Sequence, residues 1–378
     1  MANTEFYKGR RRKKNYAVVP TMIVLSLIAL AVVLFYSMQK YAVITKDGVS
    51  IELPMLSEEK TVVDASGNTV RQFESVDVSV VFDNPDYSGY TAAAGADVEG
   101  VRAIFVPYTQ LNATAIGEYT SRLSSGNALM LEMKPRSGNL MWYSNTPLAI
   151  NYGISVYNET TTYIGDIIDS LKSGDHPVYL IAKISCCIDS ALPARCTTVS
   201  LLNNFGGYYS NSDGIFLDPY NQQVRSYIVD LVRELYDMGF DEVVLADIVH
   251  PQPEEGESIG YSVPMSTTPT ATGAVSAFAI SVAEELEDRE GVLSICVNSK
   301  AALTGIDGAT GQNGPLFFKL YDRVYFETDR YEYNYIVPSL SGIVTVGRTA
   351  DRFVPIVENY LPDNSATVSW VLVDVEED

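Results

Sequence analysis

The stretch LDPYNQQVRSYIVDLVRELYDMGFDEVVLADIVHP, residues Leu217–Pro251, decides the fold. It reads as a helix followed by a strand. Asp218-Pro219 opens the unit, in the manner of a helix start. Val224, Ile228, Leu231, Val232 and Leu235 recur at helical spacing. Gly239 stops the helix, where a left-handed cap favours a residue without Cβ. Val243, Val244, Leu245 and Ala246 then form an apolar run. A strand apolar on both faces is usually a parallel strand covered on both sides. Asp247 follows at its C-terminal end, and His250-Pro251 begin a loop. In α/β folds, ligands and chemistry gather at that end of the strands.

The same alternation continues on either side. Strands are expected over 101–108, 128–134, 177–185, 291–298, 321–327 and 367–375, and helices over 110–124, 160–172, 272–288 and 349–360. Long loops fill 135–158, 186–216 and 251–270, with a small hairpin in GGYYSNSDGIFL. Strands alternating with helices predict a parallel sheet. With no glycine-rich phosphate loop, that sheet is expected to be a (β/α) TIM-like barrel over 100–378. Seven strands stand out, with IVTVG (343–347) as a candidate for another. No eighth strand follows the one that carries Trp370, so the expectation is a barrel truncated to seven.

Ahead of the barrel, residues 17–36 carry no charge. About 20 apolar residues suffice to span a bilayer as a helix. The YSMQKYA that follows offers no small-x-small cleavage site, which disfavours a signal peptide. A single transmembrane helix is therefore expected over 16–37. The basic residues before it place residues 1–15 in the cytoplasm and the remainder outside the cell. Residues 38–99 read as a β-rich stalk, with a hairpin at 41–53 and a turn at Ser66-Gly67-Asn68.

The 378 residues carry 26 Lys and Arg against 47 Asp and Glu, a net charge of −21. Six of the bases and one acid lie ahead of the apolar run, so the rest holds 20 bases against 46 acids. Such a surface repels nucleic acid. Only two histidines are present, His176 and His250, and there is no HExxH motif, so neither a metal nor a cofactor is expected. Cys186, Cys187, Cys196 and Cys296 fit no zinc or CxxC spacing. In an exported domain Cys186 or Cys187 could pair with Cys196; small buried hydrophobes are the equal alternative.

These segments, with Leu217–Pro251 the most specific, resemble the glycosyl hydrolase-like domain of bacterial surface proteins, an α-amylase-like barrel. The resemblance covers roughly 100–375. It implies a second strand with an acid and, two places on, a lysine, here Glu132 and Lys134. It implies an arginine on the third strand, where this chain has Lys183. The family's fourth-strand Asp falls on Ala246, one place before Asp247, and its fourth-strand Arg falls on Val249. The fifth-strand acid falls on Cys296.

Glycoside hydrolysis generally uses two carboxylates about 5–5.5 Å apart for retention or about 6.5–9.5 Å for inversion. The candidates at strand C-terminal ends are Glu132, Asp247 and Glu327. Each has a structural alternative: Glu132 pairing with Lys134, Asp247 capping its loop, Glu327 pairing with Arg323 or Arg330. Lys134, Lys183, Tyr108, Tyr325, Asp329, His250 and Asn298 are expected to contact substrate. Trp142, Tyr143 and Tyr331 are further aromatics for stacking on sugars. The expected function is a membrane-anchored, extracellular glycoside-hydrolase-like protein acting on polysaccharide. The alternative is a degenerate barrel that binds cell-envelope glycan or serves as an interaction module.

Overall fold

The computed structural model describes residues 42–45, 48–51, 61–63, 69–71, 100–123, 128–174, 177–264, 268–328, 352–359 and 369–374. The chain divides into two units, Met1–Ser79 and Val80–Asp378. In the first, Ala42–Thr45 pairs antiparallel with Gly48–Ile51, and Thr61–Val63 with Thr69–Arg71. The turns expected from the sequence fall between these strands, at residues outside the described ones. The basic tail and the apolar 16–37 lie outside the described residues. Among the described residues no helix is long and apolar enough to cross a membrane.

The second unit is a closed barrel of eight parallel strands. They are β1 (Arg102–Val106), β2 (Ala128–Lys134), β3 (Tyr179–Ser185), β4 (Glu242–Ala246), β5 (Val292–Val297), β6 (Arg323–Thr328), β7 (Phe353–Glu358) and β8 (Trp370–Val373). Each pairs with the next, and β8 closes on β1 through Trp370↔Arg102, Val371↔Ala103 and Leu372↔Ile104. Strand residues of one parity face outward, where Leu129, Leu131, Leu180, Ile184, Val243, Leu245, Ile295 and Phe326 pack against the helices. The other parity fills the interior, with Ala103, Met130, Ile181, Val244, Tyr325, Val354 and Val371. Covering both faces explains the continuous apolar runs.

Closure overturns the seven-strand expectation. The missing strand is β7, within the segment expected to be a helix over 349–360. Its sequence FVPIVE carries Pro355 in mid-run, and a proline in a helix interior clashes with the preceding turn. Arg352 pins the start of β7: its Nε donates to Asp322 O at 2.9 Å and Nη2 to Tyr321 O at 2.7 Å. IVTVG (343–347) lies outside the described residues.

The helices between strands begin on polar caps. They include α1 (Ala113–Ser121), α2 (Glu159–Lys172), α3 (Gln222–Asp237), α4 (Ala271–Glu285), α5 (Ser299–Thr304) and α6 (Gly314–Leu320). The cap of α3 is Asn221, whose Oδ1 accepts from Gln223 N at 2.9 Å. Asp218, expected to start that helix, sits a turn earlier and accepts from Ser262 N at 2.7 Å. Burial raises its pKa above the ordinary carboxylate value. All four cysteines are buried free thiols, so the core reading applies to them.

A charged network fills the barrel toward the N-terminal ends of the strands. Glu242 is fully buried there and pairs with Arg323. Ser294 Oγ donates to Glu242 Oε1 at 2.6 Å, Tyr325 OH to the same oxygen at 2.8 Å, and Tyr179 OH to Oε2 at 3.0 Å. A buried carboxylate persists only with such a full set of donors.

Candidate active site at the barrel mouth

The C-terminal ends of the strands bring the three sequence-predicted carboxylates to one face. Lys183 on β3 reaches across to β6, where its Nζ bonds Glu327 Oε1 at 2.7 Å. The ammonium lies 5.4 Å from the centre of the Phe105 ring. Ala246 and Cys296, on the two intervening strands, are small enough to let this bridge pass. Burial works against the lysine's charge, but the facing carboxylate of Glu327, with Asp247 behind it, holds its pKa above the ordinary value. Glu132 lies opposite Lys183 in the β2–β3 register, and its Oε2 accepts from Tyr108 N at 3.2 Å. Glu327 therefore pairs with Lys183, and Arg323 with Glu242 below.

Asp247 reaches the mouth by a route that strand alternation does not foresee. One residue past Ala246, period two would turn it to the other face. Its backbone instead takes φ +53°, the left-handed region that few non-glycine residues adopt. Its Oδ1 accepts from Arg136 Nη2 at 2.6 Å and Nε at 2.9 Å. That bond raises the Arg136 pKa, against the opposing effect of burial, and Glu327 adds to the rise. Lys183 and Cys296 both feel the Asp247 charge, so the two ion pairs share one electrostatic environment. Arg136 escaped the sequence reading, since nothing in Pro135-Arg136-Ser137-Gly138 sets it apart from an ordinary turn. Burial, then Glu327, pushes the Cys296 thiol up, which keeps it protonated and a poor nucleophile.

Several expected substrate contacts lie elsewhere. A register shift between Glu132 and Lys134 breaks the alternation of β2, so Lys134 does not share the Glu132 face. Lys134 instead pairs with Asp189 at 2.9 Å, both side chains fully buried. Tyr325 is buried one layer below the mouth, on Glu242. Asn298 caps α5 through Ala301 N at 2.7 Å, and its Nδ2 donates to Asp307 Oδ2 at 2.9 Å. Trp142 is buried and donates to Glu234 Oε2 at 2.8 Å, while Tyr143 stacks on Tyr157 at 4.0 Å. Tyr108 remains partly exposed at the rim. Asp329, Arg330, Tyr331 and His176 lie outside the described residues. Among the described residues no cluster of three metal-ligating side chains occurs.

His250 is buried, its Nδ1 2.8 Å from Pro251 O and its Nε2 3.0 Å from Tyr261 OH. The neutral ring with a proton on Nδ1 satisfies both contacts, and burial lowers its pKa. A folded-state pKa below the unfolded value means that the unfolded chain binds the proton more readily. The stability this represents is complete above the unfolded value of about 6.5 and is lost as pH falls through it toward the folded value. His250→Gln is therefore expected to lessen the fall in melting temperature between pH 7.5 and 5.5. An unchanged fall would exclude His250 as its source.

A family model described as "Putative glycosyl hydrolase domain" matches residues 103–324. The chain belongs to this family. The matched span runs from β1 into β6. The glycoside hydrolase domain of PgaB (BpsB) from Bordetella bronchiseptica has the same fold, with TM-score 0.52 and 13% identity over 72% of this chain and 93% of that one. Ega3 from Aspergillus fumigatus, in complex with galactosamine, gives TM-score 0.41 and 13% identity over 72% of this chain and 81% of that one. A hypothetical protein from Ruminiclostridium thermocellum gives 0.42 and 18% over 51% and 96%. No curated protein matches the chain. The glycosyl hydrolase-like barrel here has both Asp247 and Glu327 facing cations.

Proposed function

We propose that this member of the family binds polysaccharide at the barrel mouth without hydrolysing it, as a cell-surface module anchored through residues 16–37. The observation that carries this reading is the pairing of Asp247 with Arg136 and of Glu327 with Lys183. Hydrolysis needs one carboxyl that keeps a proton near neutral pH, as an apolar wall or a facing acid arranges. Here each of the two carboxylates faces a cation. Glu132 accepts a backbone N–H. A thiol occupies the β5 position where the resemblance implies an acid. Two cations and three carboxylates on one face are well suited to sugar hydroxyls, which both donate and accept.

One observation favours a hydrolytic reading instead. The left-handed backbone at Asp247 re-aims a displaced carboxylate to the mouth, where an arginine orients it. The experiment that separates the two uses the full-length chain on a panel of soluble polysaccharides, with affinity electrophoresis and reducing-sugar release read side by side. The expected result is retardation by at least one polysaccharide with no sugar released. Arg136→Gln and Lys183→Met should each weaken retention about tenfold, as for truncation of a charged anchor at a binding surface. Turnover by the parent that disappears in Asp247→Asn and Glu327→Gln would overturn the binding reading.

A further inference from the structure

A second feature of the mouth-side loops plays no part in the ion pairs. The loop between β3 and α3 folds back on itself through Leu201, Tyr209 and Phe216, which bury with Ile188 in a small core of their own. Val249, Ile259 and Tyr261, from the loop after β4, pack against it. At the tip of this hairpin Phe205 is 97% exposed. A loop that buries a Tyr and a Phe in its base and leaves a Phe in water at its tip is not short of a core to place it in.

The tip is also held rigidly. Asn203 Oδ1 accepts from Phe205 N at 2.9 Å and Gly207 N at 3.1 Å, and its Nδ2 donates to Tyr208 O at 3.0 Å. Gly206 supplies the left-handed residue that the turn needs, at φ +78°. Asn204 clamps the tip to the neighbouring loop, donating to Gly256 O at 3.1 Å and accepting from Ser258 N at 2.8 Å. Leu202 and Gly260 exchange two backbone bonds of 2.8 Å. A backbone held at so many points carries the ring on a fixed base and has little freedom of its own to lose on binding.

We infer that Phe205 is a stacking platform for a pyranose ring of a polysaccharide, an outer subsite of the mouth on the β3–β4 side. The inference rests on the glycan-binding reading above. Both supporting loops leave the barrel at the strand ends that carry Lys183 and Asp247. The surroundings select the occupant. An apolar protein partner would need a wide apolar patch, whereas Phe205 stands among Asn203, Asn204 and two glycines, with the partly exposed Tyr208 the other aromatic of the turn. The loop clamped to it exposes Glu254, Glu255 and Glu257. A small aromatic surface flanked by amides and carboxylates matches a sugar, whose C–H face is apolar and whose edge is hydroxyl.

The test compares full-length Phe205→Ala and Phe205→Trp with the parent on a polysaccharide that retards the parent in affinity electrophoresis. The panel comprises a neutral β-glucan, pectin and chitosan. Phe205→Ala should bind about tenfold more weakly, in the range of a lost aromatic anchor, with its melting temperature unchanged. Phe205→Trp should bind as well as the parent. If Phe205→Ala binds like the parent while Arg136→Gln and Lys183→Met bind weakly, the subsite is overturned and the mouth reading stands. If no polysaccharide retards the parent, both fall. If Phe205→Ala instead dissociates an oligomer in light scattering and leaves glycan affinity intact, the ring is a self-association contact and the subsite is overturned.

Discussion

Arg323→Leu is expected to destabilise the barrel by about 3–5 kcal/mol, the cost of removing one partner of a buried ion pair. Glu242 has no exposed surface, and among the described residues the guanidinium of Arg323 is its one cationic partner. Without it the carboxylate keeps the hydroxyls of Ser294, Tyr325 and Tyr179, three neutral donors for a full charge. Urea denaturation followed by far-ultraviolet circular dichroism measures the loss. The double variant Glu242→Leu/Arg323→Leu should recover part of it, since apolar replacement of both charges removes the unpaired one. Recovery should be incomplete, because three hydroxyls then lack their acceptor. A loss below about 1 kcal/mol in the single variant, within the range of exposed pairs, would mean that water reaches Glu242.

Lys134→Met should cost a similar amount, about 3–5 kcal/mol, by the same mechanism at a different place. Lys134 and Asp189 are fully buried beneath the loops that follow β2 and β3. Lys134 Nζ also donates to Ser185 O at 2.7 Å. Asp189 Oδ1 accepts from Ala191 N at 2.9 Å and Leu192 N at 2.8 Å, which fixes the start of the short helix Leu192–Arg195. Gly138 approaches the same carboxylate so closely that a Cβ there would collide with it, and its φ of +82° disfavours any side chain. Gly138→Ala should therefore reproduce part of the effect. Hydrogen exchange should rise first over 135–140 and 186–196 in both variants. Uniform acceleration across the barrel strands, with those loops no faster than the rest, would assign the damage to global rather than local unfolding.

The strand-then-helix pattern was legible because every barrel strand except β7 is an apolar run bounded by turn residues. β7 was hidden by coincidence: Phe353, Ile356 and Val357 fall at helical spacing inside a strand that is apolar on both faces. Pro355 was the available counter-signal, as helix interiors exclude it. At the mouth, Glu132, Asp247 and Glu327 could be named from the sequence because strand C-terminal ends are legible in it, while Lys183 was singled out through the family resemblance. The departures came from backbone detail that no periodicity encodes. The register shift in β2 carried Lys134 off the Glu132 face, and the left-handed Asp247 undid a one-residue displacement. Partners across the barrel were equally out of reach, since Lys183 and Glu327 are 144 residues apart, as are Tyr179 and Arg323.

The pairing of β8 with β1 bears on how the chain matures. Val101 N donates to Ser369 Oγ across 268 residues of sequence. β8 is the last of the eight strands to leave the ribosome, so the ring stays open throughout synthesis of the other seven. During that interval β1 and β7 expose unpaired edges rich in Val, Ile and Phe, the kind that recruit strands from other chains. Closing the ring joins strands from opposite ends of the barrel sequence, the kind of non-local pairing that slows folding. Arg352 ties β7 to the end of α6 through three backbone carbonyls, a contact that does not depend on β8.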